Sequence, residues 1–227
     1  MLTYLNSDAW VEMPKLEDES FDLVLTDPPY MAMNSVTECR KRTDGGKIIG
    51  VFDSKDFDIF AKHCWRLLKP GRHAYIFTQE KVYSETRKAV IEAGFQIRGT
   101  LIWVKRSFTK GNFDLDYPIQ TEMILYCHKR IEGVEMRKLN GNVHSNILTE
   151  FPNLTGHQMI HPTQKPVSIC QFLIERSSEE GEFILDPFAG VGTTLLAARA
   201  CRRNAWGCEL LEEFWKKGMF LIETNER

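Results

Sequence analysis

Two short motifs in this 227-residue chain combine carboxylates, prolines and glycines in patterns that can support chemistry. The first, Asp27-Pro28-Pro29-Tyr30, follows an apolar run at residues 21–26. Proline has no N–H group, so carbonyl groups in this segment stay available to a ligand. The Asp27 carboxylate and the Pro28 carbonyl can both accept hydrogen bonds from one amino group, which would support positive charge developing on that nitrogen. With Tyr30 offering a flat face to a base, these four residues are the predicted catalytic residues; the alternative is a loop turn whose Tyr packs into the core.

The second motif also follows an apolar run and reads Asp186-Pro187-Phe188-Ala189-Gly190-Val191-Gly192-Thr193-Thr194. Its two glycines allow the backbone to approach a ligand closely, and its two threonines begin a predicted helix whose N-terminus favours a carboxylate. Glu209 ends the next predicted strand, where a carboxylate is well placed for ribose hydroxyls. The motif lacks the Gly-x-Gly-x-x-Gly pattern, so it predicts a cradle for a charged cofactor other than NAD or FAD; the alternative is a tight turn without a ligand.

The elements that must position these motifs alternate between short apolar runs and helix-like stretches. Strands are predicted at residues 21–26, 73–77, 95–103, 122–127, 182–185 and 205–208, and helices at 55–68, 80–93, 166–177, 193–201 and 211–223. Continuous apolar strands that alternate with helices predict an α/β fold, with a mostly parallel sheet and helices on both faces. Ligands bind beyond the carboxyl ends of such strands, which is where both motifs begin.

The composition is typical of one domain spanning residues 1–227, with 43% hydrophobic residues and a formal net charge of -2. No apolar stretch is long enough to cross a bilayer and no signal peptide is recognisable, so no membrane contact is expected. The six cysteines are scattered, which predicts free thiols and a cytoplasmic location. His157 and His161 have helical metal-ligand spacing, but Gly156 and Pro162 oppose a helix there, and no metal site is predicted.

Nucleic-acid binding would have to come from local basic patches, because the whole chain is not a polycation. Three candidate patches fall in predicted connections between elements, where binding residues tend to lie. The predicted DNA-binding residues come from the first two patches: Arg40, Lys41, Arg42 and Lys47, then Lys105, Arg106 and Lys110. The third patch pairs Lys129 and Arg130 with Arg137 and Lys138. For each patch, the alternative is ordinary solvated surface.

Together these motifs resemble those of the amino-group DNA methyltransferases that use S-adenosylmethionine. The segment His161-Pro162-Thr163-Gln164-Lys165-Pro166 is similar to the stretch that precedes the cofactor strand in the β-group of that family. The early Asn6-Ser7-Asp8-Ala9 run is similar to a family segment that often reads Gly-Asp, from which Ser7 departs. The resemblance covers nearly the whole chain and implies a Rossmann-like methyltransferase fold with permuted motif order, the catalytic tetrapeptide preceding the cofactor loop.

The resemblance also implies site roles. Asp8 would contact the adenine of S-adenosylmethionine, and Phe188 and Lys165 would line its pocket. Its remaining predicted contacts are the carboxylates and the glycine turn described above, namely Asp186, Gly190, Gly192, Thr193, Thr194 and Glu209.

The resemblance predicts methyl transfer to the N6 amine of adenine in DNA, with the target base flipped out of the helix. Asp rather than Ser at position 27 favours adenine N6 over cytosine N4, which stays as an alternative. The absence of a Pro-Cys dipeptide argues against the covalent route to 5-methylcytosine. Two further alternatives are an RNA adenine methyltransferase and a catalytically silent nucleic-acid-binding module.

Family order would place target recognition between the fourth predicted strand and His161. This leaves a small region at about residues 130–160, which predicts a short recognition sequence, relaxed specificity or help from a second subunit. Related enzymes are often dimers and belong to restriction-modification systems, so both a homodimer and that context are expected.

Overall fold

A computed structural model gives the fold of the chain. It describes residues 1–29, 43–44, 47–48, 54–107, 114–115, 117–152, 154 and 164–224. Six α-helices in these ranges are α1 Ala9–Glu12, α2 Ser54–Leu67, α3 Tyr83–Glu92, α4 Val167–Ser177, α5 Thr193–Ala200 and α6 Glu212–Thr224. Short 3-10 turns at Met13–Lys15 and Glu80–Val82 adjoin α1 and α3.

Ten strands accompany these helices. They are β1 Leu2–Asn6, β2 Phe21–Thr26, β3 Thr43–Asp44, β4 Lys47–Ile48, β5 Leu68–Thr78, β6 Gln96–Val104, β7 Thr121–His128, β8 Ile147–Leu148, β9 Phe183–Asp186 and β10 Asn204–Glu209. Eight of them form one sheet in the order β1-β10-β9-β2-β5-β7-β6-β8, while β3 and β4 pair only with each other.

The large sheet is mostly parallel. Strands β1, β10, β9, β2 and β5 run in the same direction, and β7 pairs antiparallel with both β5 and β6. Because β8 is parallel to β6, β7 alone runs against the other strands of the sheet as described. The ends of the parallel strands therefore meet at one edge, called the site edge below, and β7 begins there rather than ending there.

Apolar side chains cover both faces of this sheet. Strand β2 is buried along its whole length, and its successive residues alternate between two cores. Val24 faces the core formed with α2 and α3, whereas Leu23 and Leu25 face the core formed with α4 and α5. A strand that is buried on both sides must be apolar throughout, which explains the unbroken hydrophobic run before Asp27.

The predicted fold class is confirmed: the chain forms an α/β sheet with helices on both faces. The six predicted strands and five predicted helices all exist, with ends shifted by a few residues. The largest shift is in β5, which begins at Leu68 instead of residue 73, directly after α2. A register irregularity between Phe21 and Leu23 on β2 accommodates the added residues around Pro70 and Gly71. Helix α1 and strands β1, β3, β4 and β8 were not predicted.

The opposite edge of the sheet is called the far edge. Two residues there show that the predicted third basic patch is not a surface patch. The side chain of Lys129 is only 1% exposed; its ammonium binds Glu19 and the Leu68 carbonyl. Arg137 is 9% exposed and pairs with Glu182 at 2.5 Å. Neither cation is available to a phosphate, because each already neutralises a neighbouring acid inside the fold. The patch reading was wrong for these two residues.

Two other predictions concern the setting of the chain. None of the helices in the described ranges combines the length and the apolar character that crossing a bilayer requires. Five cysteines, at positions 64, 127, 170, 201 and 208, are buried free thiols, and the cytoplasmic location stays a prediction. Cys39, His157 and His161 lie outside the described residues.

Close packing of α5 on β10 predicts a glycine requirement at position 207. A Cβ added to Gly207 would lie 2.8 Å from Leu195 Cδ1 and 2.9 Å from both the Ala189 Cβ and the Asp186 carbonyl oxygen. Gly207→Ala should therefore lower the free energy of unfolding by about 1 to 3 kcal/mol, because the overpacked strand and turn must move apart. Urea denaturation measures the change.

Gly99→Ala on β6 is the matched control, since a Cβ there would meet no atom within 4 Å. Its free energy of unfolding should stay within about 0.5 kcal/mol of the wild type. Equal effects of the two substitutions would contradict the packing argument.

Candidate active site

The two sequence motifs meet at the site edge because β2 and β9 are neighbours. These parallel strands pair at Leu23 with Ile184 and at Val24 with Leu185. Just beyond these pairs, the Thr26 hydroxyl donates a 2.8 Å hydrogen bond to Asp186 Oδ1, and both side chains are buried. This bond places Asp27 beside the turn that follows β9, so the motifs predicted to act in catalysis and in cofactor binding lie together at the site edge.

Asp186 is buried within this junction. Burial raises its pKa from 3.8 to about 6, although hydrogen bonds from Thr194, Thr26 and the Phe188 N–H oppose the rise. The Phe188 N–H lies 3.2 Å from Asp186 Oδ1. The carboxylate thus fastens the end of β2 and the start of α5 to its own turn. The predicted cofactor contacts of Asp186, Thr193 and Thr194 stay predictions, with both threonines buried at the start of α5.

The glycine turn between β9 and α5 requires left-handed backbone at two positions. Gly190 has φ +56° and Gly192 has φ +75°, which glycine adopts without steric cost. A Cβ added at Gly190 would meet nothing within 4 Å among the described residues, so this turn borders open space. The Tyr4 hydroxyl donates to the Gly190 carbonyl from β1, holding the turn from the other side.

Glu209 ends β10 next to the same turn, as predicted. Its Oε1 accepts a 2.8 Å hydrogen bond from the Leu211 N–H, and the Gly190 N–H also donates to the carboxylate. Burial raises the pKa of Glu209 more than these hydrogen bonds lower it. The Leu210 N–H donates to this carboxylate as well. Because a carboxylate can accept about four hydrogen bonds, Glu209 keeps capacity for a ligand hydroxyl.

Asp8 and Phe188 both contact one residue, Trp10. Asp8 caps α1, its carboxylate accepting a 2.9 Å hydrogen bond from the Trp10 N–H. The Trp10 ring packs edge-on against Phe188, with centroids 6.2 Å apart, and Phe60 lies 5.6 Å away. The structure therefore brings together Asp8 and Phe188, both predicted to bind the cofactor.

Asp27 is 19% exposed and is held by charge. Lys165 Nζ lies 2.5 Å from Asp27 Oδ2 and 3.1 Å from Glu122 Oε2. Lys165 also lies over the Phe77 ring, 5.0 Å from its centroid. Its predicted contact with the cofactor stays a prediction, but the structure places its ammonium directly on the predicted catalytic carboxylate. Pro28 is buried and Pro29 half-buried, and Tyr30 lies outside the described residues.

The predicted DNA-binding residues are described only in part. Arg106 is exposed at the site edge, after β6. Lys105 is only 15% exposed, and its ammonium lies 2.9 Å from Glu122 Oε1, so a phosphate would have to displace that partner. The structure describes Lys47 only as backbone of β4. Arg40, Lys41, Arg42 and Lys110 lie outside the described residues.

Sequence reasoning missed three residues that build this site: Thr26, Tyr4 and Glu122. Thr26 ends an apolar run directly before Asp27, so its polar side chain was a usable signal. Glu122 begins a strand that runs opposite to its neighbours, and a sequence without strand directions gives no reason to place it at this edge. Tyr4 reaches Gly190 across 186 residues of sequence, which no local pattern indicates.

Comparison with known proteins agrees with this arrangement. The model of the DNA methylase family, which covers N6 and N4 methyltransferases, matches residues 21–220. The chain belongs to that DNA methylase family. The match spans both motifs and all the strands between them, and it confirms the family and the class of enzyme predicted from the sequence, a DNA methyltransferase.

Two relatives of this DNA methylase match it over most of their length. Type II methyltransferase M2.DpnII of Streptococcus pneumoniae is 28% identical over 97% of this chain and 89% of its own. DNA adenine methyltransferase YhdJ of Escherichia coli is 27% identical over 98% of this chain and 83% of its own.

Solved structures share the fold at lower identity. A crystal structure of the M1.HpyAVI complex with S-adenosylmethionine has a TM-score of 0.70 at 21% identity, covering 97% of this chain and all of that one. The cytosine-N4-specific PvuII DNA methyltransferase has a TM-score of 0.73 at 18% identity, covering 96% of this chain and 85% of that one. These likenesses confirm the methyltransferase fold.

The raised pKa of Asp186 predicts a pH-dependent stability difference. The folded state binds a proton more tightly than the unfolded state, so stability from this group is greatest below the ordinary value of 3.8 and falls as pH rises through about 6. Asp186→Asn removes that titration. Relative to the wild type, the variant should gain roughly 2 kcal/mol of unfolding free energy between about pH 4 and pH 7.

Urea unfolding of both proteins across this pH range measures the difference. A difference that stays constant with pH would contradict the burial of an ionising carboxyl at position 186.

Proposed function

We propose that this DNA methyltransferase transfers a methyl group from S-adenosylmethionine to the N6 amine of adenine in DNA. The observation that carries the proposal is the junction at the ends of β2 and β9. There, the Thr26–Asp186 hydrogen bond holds Asp27 beside the open glycine turn. An amine gripped by Asp27 and the Pro28 carbonyl would thus lie next to whatever the turn binds.

The residues around the turn fit S-adenosylmethionine by their chemistry. When bound, this cofactor supplies an electrophilic methyl group. The open space at Gly190 and the start of α5 suit its carboxylate, and Glu209 offers acceptors for ribose hydroxyls. Asp8, beside the aromatic pair Trp10 and Phe188, would bind its adenine. The name of the M1.HpyAVI complex supports the same choice of cofactor.

Asp27 and Pro28 would act on the nucleophile. The lone pair of an exocyclic amine is delocalised into the ring, and acceptors on both N–H groups make it more available. As the nitrogen forms its bond to the methyl carbon, the bond from that carbon to sulfur breaks and sulfur keeps the electron pair. The nitrogen becomes positive and then releases one proton to water, which leaves a neutral methylamino base. The negative charge of Asp27 favours the positive stage.

Adenine N6 is preferred over cytosine N4 on two grounds. Asp at position 27 favours adenine by family pattern, and the relative YhdJ is named an adenine methyltransferase. The PvuII enzyme, named cytosine-N4-specific, shares the fold with a TM-score of 0.73, so the fold does not distinguish adenine from cytosine as the substrate. The type II names among the relatives support a restriction-modification context for this chain.

DNA would approach the site edge. The connection between β6 and β7 begins there, and its exposed Arg106 supports phosphate contacts from this segment. Within the predicted recognition region, Arg137 is bound to the far edge, whereas β8 runs parallel to β6 toward the site edge. We therefore propose that recognition uses residues after β8. A homodimer and a cytoplasmic location stay predictions.

Asp27→Asn tests the proposed function. The near-isosteric amide keeps the shape but loses the charge and one acceptor, so methyl transfer should fall on the order of 100- to 1000-fold. Binding of S-adenosylmethionine, measured by calorimetry, should not change. The assay uses tritiated cofactor and unmethylated plasmid DNA, and mass spectrometry of the digested product should find N6-methyldeoxyadenosine.

Several outcomes would contradict this reading. N4-methyldeoxycytidine as the product would establish the cytosine alternative. Preference for RNA over DNA in a competition assay would establish the RNA alternative, and no transfer by the wild type would indicate a silent binding module. Undiminished transfer by Asp27→Asn would refute the role of Asp27.

Glu209→Gln tests the cofactor cradle. Loss of charge-assisted hydrogen bonds should weaken S-adenosylmethionine binding by roughly 10- to 100-fold. Glu213→Gln is the matched control, because the Glu213 side chain is 65% exposed and pairs with Lys217 on the surface of α6. Equal affinity of the two variants would refute the ribose role.

A further inference from the structure

Four charged side chains form an alternating line that ends on Asp27. Lys105 Nζ lies 2.9 Å from Glu122 Oε1, Lys165 Nζ lies 3.1 Å from Glu122 Oε2, and the same Lys165 Nζ lies 2.5 Å from Asp27 Oδ2. The four residues come from the end of β6, the start of β7, the segment before α4 and the end of β2. Long-range packing, rather than local sequence, therefore brings them together.

All four side chains are largely shielded from water. Their exposed fractions are 15% for Lys105, 12% for Glu122, 7% for Lys165 and 19% for Asp27. Burial would raise the pKa of Glu122, but the nearby ammonium groups of Lys165 and Lys105 outweigh it and the net direction is downward. Glu122 is thus held as a carboxylate between two cations.

A stabilising role alone does not account for this line. Removing charges from water costs several kcal/mol per ion, and buried ion pairs often contribute no more to stability than well-packed apolar groups would. The line also does not lie at an arbitrary place in the core, since its end touches the carboxylate proposed to grip the substrate amine.

We propose that Lys165 and Glu122 are positioning residues for Asp27 in methyl transfer. Lys165 holds one oxygen of the Asp27 carboxylate, and Glu122 holds Lys165 in place. The inference rests on the proposed function and extends it to two residues on other elements.

The charges in the line also suit the reaction. A single ammonium beside the site would repel the positive charge that develops on the amine nitrogen. Glu122 offsets that ammonium, so the group nearest the nitrogen in this line is the negative Asp27 carboxylate and the line as a whole carries no net positive charge. Lys105 neutralises the far side of Glu122, away from Asp27. Loss of Glu122 would leave Lys105, Lys165 and Asp27 with a net positive charge, and the structure shows Lys165 bound to Glu122 on one side and Asp27 on the other.

Single-turnover methyl transfer to unmethylated plasmid DNA, at saturating tritiated cofactor, tests the proposal. Lys165→Met should slow transfer by about 100-fold, because a misplaced carboxylate loses its alignment with the amine. Glu122→Gln should slow it by about 10-fold, a typical loss for an outer supporting group. Because Glu122 acts through Lys165, the double variant should be no slower than Lys165→Met alone.

Two readouts separate positioning from a general structural role. An ammonium beside a carboxylate favours its ionised form, so in Lys165→Met the acid limb of the pH–rate profile should move to higher pH. Lys165→Arg, which keeps the positive charge, should be faster than Lys165→Met and restore the wild-type profile. Lys217→Met, which removes an exposed lysine paired with Glu213, is the control and should match the wild type in rate and profile.

Wild-type rates and pH profiles in both Lys165→Met and Glu122→Gln would overturn the proposal. So would a Lys165→Met protein that binds S-adenosylmethionine weakly yet transfers at the normal rate when saturated, because Lys165 would then belong to the cofactor pocket. If Lys165→Met does not fold, Lys165→Arg and Glu122→Gln carry the test. An active Asp27→Asn protein in the same assay would instead refute the proposed function itself.

Discussion

The hydrogen bond between Thr26 and Asp186 is the interaction on which this site depends. It joins residues 160 positions apart at the ends of two adjacent parallel strands, in a place that excludes water. Because parallel neighbours end at the same edge, the residue after each strand can serve one ligand site. The bond fixes the position of one strand end relative to the other, so the distance between Asp27 and the glycine turn stays constant. For a carboxylate proposed to act in catalysis, this fixed distance matters more than the stability that the hydrogen bond contributes.

Much of the architecture could be predicted from the sequence because each element depends on a pattern of residues within its own segment. The unbroken apolar run before Asp27 reflects a strand buried on both faces, and the helical spacing of Phe57, Phe60 and Cys64 reflects one packed face of α2. The two motifs announced the site because proline and glycine restrict or free the backbone in recognisable ways. Strand β1 escaped because its residues are only half-buried at the sheet border, so their pattern is weak.

The charged residues were harder to predict, for a physical reason. A lysine in a connection is usually solvated, and only a partner from a distant segment can make its burial favourable. Lys129 meets Glu19 from the segment before β2, and Lys165 meets Asp27, 138 residues away. At the far edge, burial lowers the pKa of His73 to about 3 and of His128 to about 4, so these stacked rings are neutral at neutral pH. Lysine–carboxylate pairs thus occur at both edges: Lys129 with Glu19 in the scaffold at the far edge, and Lys165 with Asp27 at the site edge.

Because β7 runs opposite to β6, the connection between these two strands lies at the site edge and could be replaced by another loop. Strands β6 and β7 are consecutive and antiparallel, so the connection between them leaves and re-enters the sheet at the edge where Asp27 lies. The ladder between the two strands runs from Gln96 to Val104 and is independent of that connection. Loops of other lengths and sequences could therefore be grafted between Lys105 and Thr121 to alter how the enzyme contacts the DNA backbone. The pairing that aligns the reacting groups would be left intact.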